Sequence, residues 1–141
     1  MSLIKRLESA SGPDRELDRE IYEATGHCAH RETEWHWSDG HSHEKTFVCK
    51  TCGKAVYGDS HIPAFTANVQ VVIDMLVPEG MSWEVRASAV GDKGQARIWD
   101  YMRQPGFKGG SLPGGGDIVV TGCATPALAL VIAAIQARGM E

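Results

Sequence analysis

The side chains best suited to chemistry in this chain are thiols and imidazoles, and most of them lie in one short stretch. Residues 27–53 hold three of the four cysteines and five of the six histidines. Cys28 and His30 form one close pair, and Cys49 and Cys52 form a second pair further along. Two such turns around a hairpin-sized insert are typical of a structural zinc ribbon, because each turn can aim two donors at one ion. The sequence therefore predicts a Zn²⁺ site made by these four residues.

Two alternatives to this ligand set stay open at the level of sequence. Four further histidines lie close enough to take the place of His30, namely His27, His36, His41 and His43. The cysteines could instead form a disulfide or redox pair. A disulfide needs an oxidising compartment, and residues 1–12 lack the apolar run of a secretory signal, so we expect reduced thiols and a cytoplasmic location.

Length and composition predict a soluble protein with a core of its own. The 141 residues suit one domain, and 43% of them are hydrophobic, which is ordinary for a globular chain. The formal net charge of −4 argues against a surface that coats nucleic acid, since such a surface is basic. No apolar run reaches the ~20 residues that a membrane span requires. We therefore expect no membrane partner.

Two short helices are predicted ahead of the metal segment. The first begins behind Ser2, a suitable cap, and carries apolar residues at helical spacing. The second starts near Pro13 and ends at Gly26, with an apolar stripe of Leu17, Ile21 and Ala24. We expect the charged residues of this second helix to form a solvated face, made of Asp18, Arg19, Glu20 and Glu23.

Within the metal segment, residues 32–37 and 45–48 read as two strands joined by a turn at 39–40. The large apolar side chains there are Trp35, Trp37 and Phe47. A ribbon has few other residues to bury, so we expect a small core over the ion; a recognition surface is the alternative. Gly53 supplies the backbone freedom that the second tight turn needs.

The rest of the chain predicts a packed α/β arrangement. Thr66 is the expected cap of a helix with apolar residues at 69, 72, 73 and 76. Strands are predicted at 83–89, 96–102 and 117–121, followed by a last helix at 127–138 that is apolar almost all round. The glycine-rich run 106–116 lacks the Gly-Lys-Ser/Thr end of a phosphate loop, so we interpret it as a connection. Cys123 has no accompanying base motif and is expected to be inert.

Three stretches resemble a known family in amino-acid sequence and in their order along the chain. They are SASGPDRELDREI at 9–21, PAFTANVQVVIDMLVPEG at 63–80 and ATPALALVIAAIQAR at 124–138. They resemble the small phage and prophage proteins grouped as the phage ABA sandwich domain. The resemblance implies an α+β fold, a three-layer α-β-α sandwich with a small antiparallel sheet, and no established activity. The metal pairs resemble knuckles of some phage proteins of this kind. Residues 27–54 would then be a zinc-ribbon hairpin inserted into a sandwich formed by 1–26 and 55–141.

Three functions fit these patterns. The one we expect is a non-enzymatic accessory protein of a phage, with no catalytic residues, which binds another phage or host protein in the bacterial cytoplasm. A fully ligated zinc leaves no open position for chemistry, and this favours a structural site. The second is a nucleic-acid-binding adaptor, which the net negative charge opposes. The third is a metal-dependent hydrolase, in which His41 or His43 would lie near an open metal site and the base would be Glu32, Glu34 or Asp39.

Overall fold

A computed structural model of the chain describes residues 2–37, 45–54, 62–87, 93–100 and 117–140. These ranges contain four helices: α1 (Leu3–Ser9), α2 (Arg15–Ala24), α3 (Val69–Met75) and α4 (Pro126–Ala137). They also contain five strands: β1 (Thr33–Trp37), β2 (Lys45–Cys49), β3 (Met81–Ala87), β4 (Gly94–Asp100) and β5 (Ile118–Cys123). The predicted α+β class is confirmed. No helix in these ranges combines the length and apolar character needed to cross a bilayer.

The chain divides into two compact units. The first unit comprises Met1–Asp18 and Ala64–Glu141, and the second unit comprises Arg19–Pro63. The division falls inside α2, and the predicted insertion, residues 27–54, lies within the second unit. That the chain is a sandwich carrying this insertion stays a prediction. The predicted turn at 39–40 and the glycine-rich run 106–116 lie outside the described residues.

The core of the first unit is built around α4. Ten of the twelve residues of this helix are buried, and the helix contacts all three strands β3 to β5 as well as α1 and α3. A helix surrounded in this way needs no polar face, which explains the all-round apolar sequence. Its start is fixed by Thr125, whose side chain accepts a hydrogen bond from the backbone N–H of Leu128 at 3.2 Å.

Strands β3, β4 and β5 form an antiparallel sheet in that order. One face of the sheet is buried, with Ala96 and Ile98 of β4 beside Val120 of β5. On the other face Val119 is 61% exposed. The layers that the described residues form therefore run from the sheet to α4 and then to α1 and α3. The α-β-α order expected from the resemblance would place helices on both faces of the sheet.

Helix α3 begins two residues later than predicted, and the reason is a tertiary contact. Asn68 caps the helix by accepting hydrogen bonds from the N–H groups of Gln70 and Val71. Thr66, the predicted cap, is fully buried. Its hydroxyl accepts from the backbone N–H of Asp14 at 2.8 Å and lies 2.9 Å from the Asp18 carboxylate, to which it can donate. The prediction of a cap at Thr66 is therefore wrong.

The prediction that Asp18 lies on a solvated face is also wrong. This side chain is 1% exposed, and its Oδ1 accepts from the backbone N–H of Thr66 at 2.8 Å. Its Oδ2 lies 2.9 Å from Nη1 of Arg15. A buried carboxylate persists only where such partners replace water. Asp18 therefore ties the start of α2 to the segment that precedes α3, within the first unit.

Candidate metal centre

A two-stranded hairpin brings the two predicted metal-binding pairs to the same end of the second unit. Strands β1 and β2 are antiparallel, with Thr33 opposite Cys49 and Trp35 opposite Phe47. The pair Cys28 and His30 lies just before β1, and Cys49 is the last residue of β2. Both predicted strands are confirmed. Eighteen intervening residues thus separate the two pairs in sequence but not in space.

The second pair is held by a tight turn after β2. The backbone N–H of Gly53 donates to the carbonyl oxygen of Cys49 at 2.9 Å, and the N–H of Cys49 donates to the carbonyl of Lys54 at 3.0 Å. Gly53 has a φ of 75°, a left-handed conformation that glycine adopts without steric penalty. The predicted role of Gly53 is therefore confirmed. The turn carries Cys52 back towards Cys49.

The first pair depends on an unusual backbone conformation. His30 has a φ of 52° and is the sole non-glycine residue with positive φ in the part of the chain that the structure describes. A left-handed conformation is unfavourable for histidine by roughly 1–2 kcal/mol, so it persists only where neighbouring structure imposes it. Here it turns the imidazole so that Nδ1 lies 3.2 Å from Sγ of Cys52.

The structure brings all four predicted ligands together. One donor atom from each of Cys28, His30, Cys49 and Cys52 lies within 4.8 Å of every other. Sγ of Cys28 is 3.6 Å from Sγ of Cys49, far beyond the ~2.05 Å of a disulfide bond. All of the cysteines are free. The four residues are close enough to bind one metal ion.

The pKa values of Cys28 and Cys49 are shifted in opposite directions. The pKa of Cys49 is lowered to about 6, chiefly because the backbone N–H of Cys52 stabilises its thiolate, with further help from His30 and the N–H of Thr51. The N–H of His30 acts in the same direction on Cys28, but burial and the two neighbouring sulfurs outweigh it and raise the pKa of Cys28. A metal ion would remove this conflict by binding every sulfur as a thiolate.

Exposure differs across the site. Cys49 is buried, Cys28 and His30 are half-buried, and Cys52 is exposed. An open depression of about 460 Å³ borders the site, and Cys28 and His30 form part of its wall. The depression is also lined by Glu23 and Arg31, which form an ion pair at 2.5 Å. Cys52 is therefore the member of the donor group most open to solvent.

His27, whose side chain the structure describes, does not belong to the donor group. Its ring stacks on Tyr22 with the centroids 4.5 Å apart and the planes inclined by 10°. The structure does not describe the side chain of His36. The described residues also leave out Asp39, His41 and His43. Glu32 and Glu34 are exposed, and neither joins the four donors.

The aromatic residues of the hairpin do not form the expected core. Trp35 is 57% exposed and Phe47 is 36% exposed, and their ring centroids lie 3.6 Å apart across the two strands. The prediction of a small core over the ion is therefore wrong for Trp35 and Phe47. The structure does not describe the side chain of Trp37. A hairpin of two strands has little interior in which rings of this size can be buried. We call Trp35 and Phe47 the aromatic pair.

Cys123 lies in the first unit, outside the donor group. It is 3% exposed, and burial, followed by the charge of Glu8, raises the pKa of its thiol. A protonated, buried thiol is a poor nucleophile. The packing of Cys123 in the interior is as expected from the sequence, and its inertness stays a prediction.

Comparison of the chain with protein-family models, curated proteins and solved structures gives no match. The resemblance to the phage ABA sandwich domain therefore stays a prediction, and functional inference rests on the metal centre and its surroundings.

Proposed function

We propose that this chain is a non-enzymatic interaction protein in which a Zn²⁺ ion holds a small hairpin in shape. The observation that supports this most strongly is the convergence of Cys28, His30, Cys49 and Cys52 from two separate turns. Three thiolates and one imidazole are a donor set that suits zinc better than the hard cations Mg²⁺ or Ca²⁺, which prefer oxygen ligands.

Two of the six distances between the donors are close to those of tetrahedral zinc, and the rest are at most 4.8 Å. With Zn–S bonds of about 2.3 Å and a Zn–N bond of about 2.0 Å, neighbouring sulfurs lie ~3.8 Å apart and sulfur lies ~3.5 Å from nitrogen. The corresponding separations are 3.6 Å for the Cys28 and Cys49 sulfurs and 3.2 Å for Cys52 and His30. Small adjustments of side-chain torsions would bring all four donors onto one ion.

A structural role follows from the donor count and from the weakness of the hairpin. Four protein donors complete a tetrahedral ion and leave no position for a reactive water. Among the side chains of β1 and β2 that the structure describes, Cys49 alone is buried. An isolated two-stranded hairpin is marginally stable in water. Metal binding would supply the missing folding free energy.

The aromatic pair is the best candidate for the contact surface. Exposed aromatic side chains next to each other are common at protein interfaces, because burying them on binding releases a large apolar area. The resemblance to phage proteins suggests a phage or host protein as partner and the bacterial cytoplasm as its location.

Zinc content and partner capture test this proposal separately. Purified protein reloaded after removal of metal should bind one Zn²⁺ per chain, measured by elemental analysis. Trp35→Ala should lose partners captured from induced host cells, whereas Trp83→Ala should keep them. Trp83 is a matched control because it is 39% exposed and lies in the first unit. Protein that binds no zinc under these conditions would exclude the proposed metal centre.

A nucleic-acid-binding adaptor is a second candidate, favoured by the aromatic pair. Exposed aromatic rings can stack on unpaired bases with little regard to sequence. The formal charge of −4 opposes this reading. Gel shifts with single-stranded oligonucleotides at two salt concentrations distinguish the candidates. Salt-sensitive binding that Trp35→Ala abolishes would favour the adaptor.

A further inference from the structure

We propose that the metal centre is also a redox switch, in which hydrogen peroxide oxidises two of its cysteines to a disulfide and expels the ion. The inference rests on the proposed zinc site. It concerns a property that a purely structural site would not need, namely the access of an oxidant to the ligands.

The first supporting observation is the exposure of the donor group. Cys52 is exposed, although it is one of the four donors. Cys28, which lines the open depression of about 460 Å³, is half-buried, and Cys49 is buried, so Cys52 is the most exposed of the three cysteines. Oxidation of cysteine by peroxide depends on thiolate character and on access. A zinc ligand has the first property, and the structure gives Cys52 the second.

The second observation is the presence of resolving sulfurs within reach. The Cys28 and Cys49 sulfurs are 3.6 Å apart, and all donors lie within 4.8 Å of one another. A disulfide requires ~2.05 Å between sulfurs, so a movement of ~2–3 Å joins Cys52 to either neighbour. Side-chain rotation and small shifts of the two turns can supply such a movement.

The chemistry balances with hydrogen peroxide as the oxidant. The Cys52 thiolate attacks one peroxide oxygen, the O–O bond breaks, and one proton is taken up, which gives a sulfenic acid and one water. The thiolate of Cys28 or Cys49 then attacks the Cys52 sulfur, the S–O bond breaks, and the departing hydroxide takes up a second proton to become water. Two thiolates are oxidised by two electrons, and peroxide is reduced to two waters.

Loss of the ion follows from the change in donors. Sulfurs joined in a disulfide carry no negative charge and are poor zinc ligands, so only His30 and one cysteine remain. The hairpin that carries the aromatic pair then loses the metal that we propose stabilises it. Oxidation would thereby weaken any contact made through the aromatic pair, and reduction with zinc present would restore it.

The test uses the zinc-loaded full chain and hydrogen peroxide. Released zinc is followed with a chromogenic chelator, free thiols are counted, and the oxidised residues are mapped by mass spectrometry of peptides. We expect one zinc released for every two thiols lost, a disulfide between Cys52 and Cys28 or Cys49, and recovery on addition of dithiothreitol and zinc. Cys123→Ser should behave as the parent protein does, because its buried thiol takes no part.

A second variant tests the entry point. Cys52→His keeps a fourth zinc donor but removes the exposed sulfur, so it should bind zinc and release it at least about tenfold more slowly under peroxide. Zinc that stays bound in excess peroxide, a disulfide that involves Cys123, or equally fast release from Cys52→His would each overturn the switch while leaving the zinc site intact. Absence of zinc from untreated protein would instead overturn the proposed function itself.

Discussion

Replacing Cys49 with serine should weaken zinc binding strongly and unfold the hairpin without unfolding the first unit. Cys49 is the buried member of the donor group, and the N–H of Cys52 stabilises its thiolate. A serine hydroxyl is almost the same size but stays protonated near neutral pH and offers a hard oxygen. The substitution therefore removes the charged soft donor while changing the shape of the site little.

The expected size of the effect follows from the number of donors. Structural zinc sites contribute about 10–16 kcal/mol of apparent binding free energy near neutral pH, so an equal share for each of four donors is about 2.5–4 kcal/mol. Every 1.4 kcal/mol corresponds to a factor of about ten in affinity. Cys49→Ser should therefore bind zinc roughly 100- to 1000-fold more weakly than the parent protein.

The assay is competition for zinc against a chelating chromophore at fixed pH, with Cys123→Ser as the matched control. Cys123 is also buried, and it lies outside the donor group. Its replacement should leave the affinity within about threefold of the parent value. In amide spectra of Cys49→Ser, dispersion should collapse for the second unit, Arg19–Pro63. It should persist for the first unit, whose core surrounds α4.

Two results would contradict this reasoning. Parent-like affinity in Cys49→Ser would show that Cys49 is not a ligand, however close its sulfur lies to the other donors. Loss of every dispersed resonance in that variant would show that the two units unfold as one cooperative body. In that case zinc would stabilise the whole chain and not the hairpin alone.

Three further predictions address the fold and the ionisation of the site. Asp18→Ala should lower the free energy of unfolding by about 2–4 kcal/mol, because it leaves buried donors without an acceptor, and Asp18→Asn should cost less; denaturant titration measures both. Gly94→Ala should lower the melting temperature far more than Gly12→Ala, since a Cβ at 94 overlaps the backbone of Thr125 and one at 12 meets open space; equal melting temperatures would contradict the packing. The pKa of Cys49 is lowered from the usual cysteine value of 9.0 to about 6 in the folded protein, so metal-free protein should gain stability as pH rises from about 6 towards 9.0. This stability should be lost as pH falls through about 6. Thermal melting temperatures that change with pH in the opposite direction would refute the prediction.

Periodicity and cysteine spacing were sufficient to predict most elements. The nine helices and strands of the described residues lie close to their predicted positions, and the apolar stripe is clearest in α4 and in the buried residues Leu17 and Ile21 of α2. The role of Asp18 could not be predicted in this way. Its partner Thr66 is 48 residues away, and a charged residue in a helix ordinarily indicates a solvated face. The aromatic pair was misjudged because a ribbon has few other residues to bury, whereas two strands enclose little interior for its rings.

Spacing alone could not show that His30 reaches the cysteines, and its backbone conformation explains how the structure brings it there. In an extended strand, residues two apart lie on the same face but about 6.6 Å from each other, too far for donors that share one ion. The left-handed conformation at His30 bends the chain so that the imidazole meets Cys52. This conformation is unfavourable in itself, and a bound metal ion would offset it. Metal binding and the folding of this turn are therefore expected to be linked, so that removal of the ion favours relaxation at His30 before the strands separate.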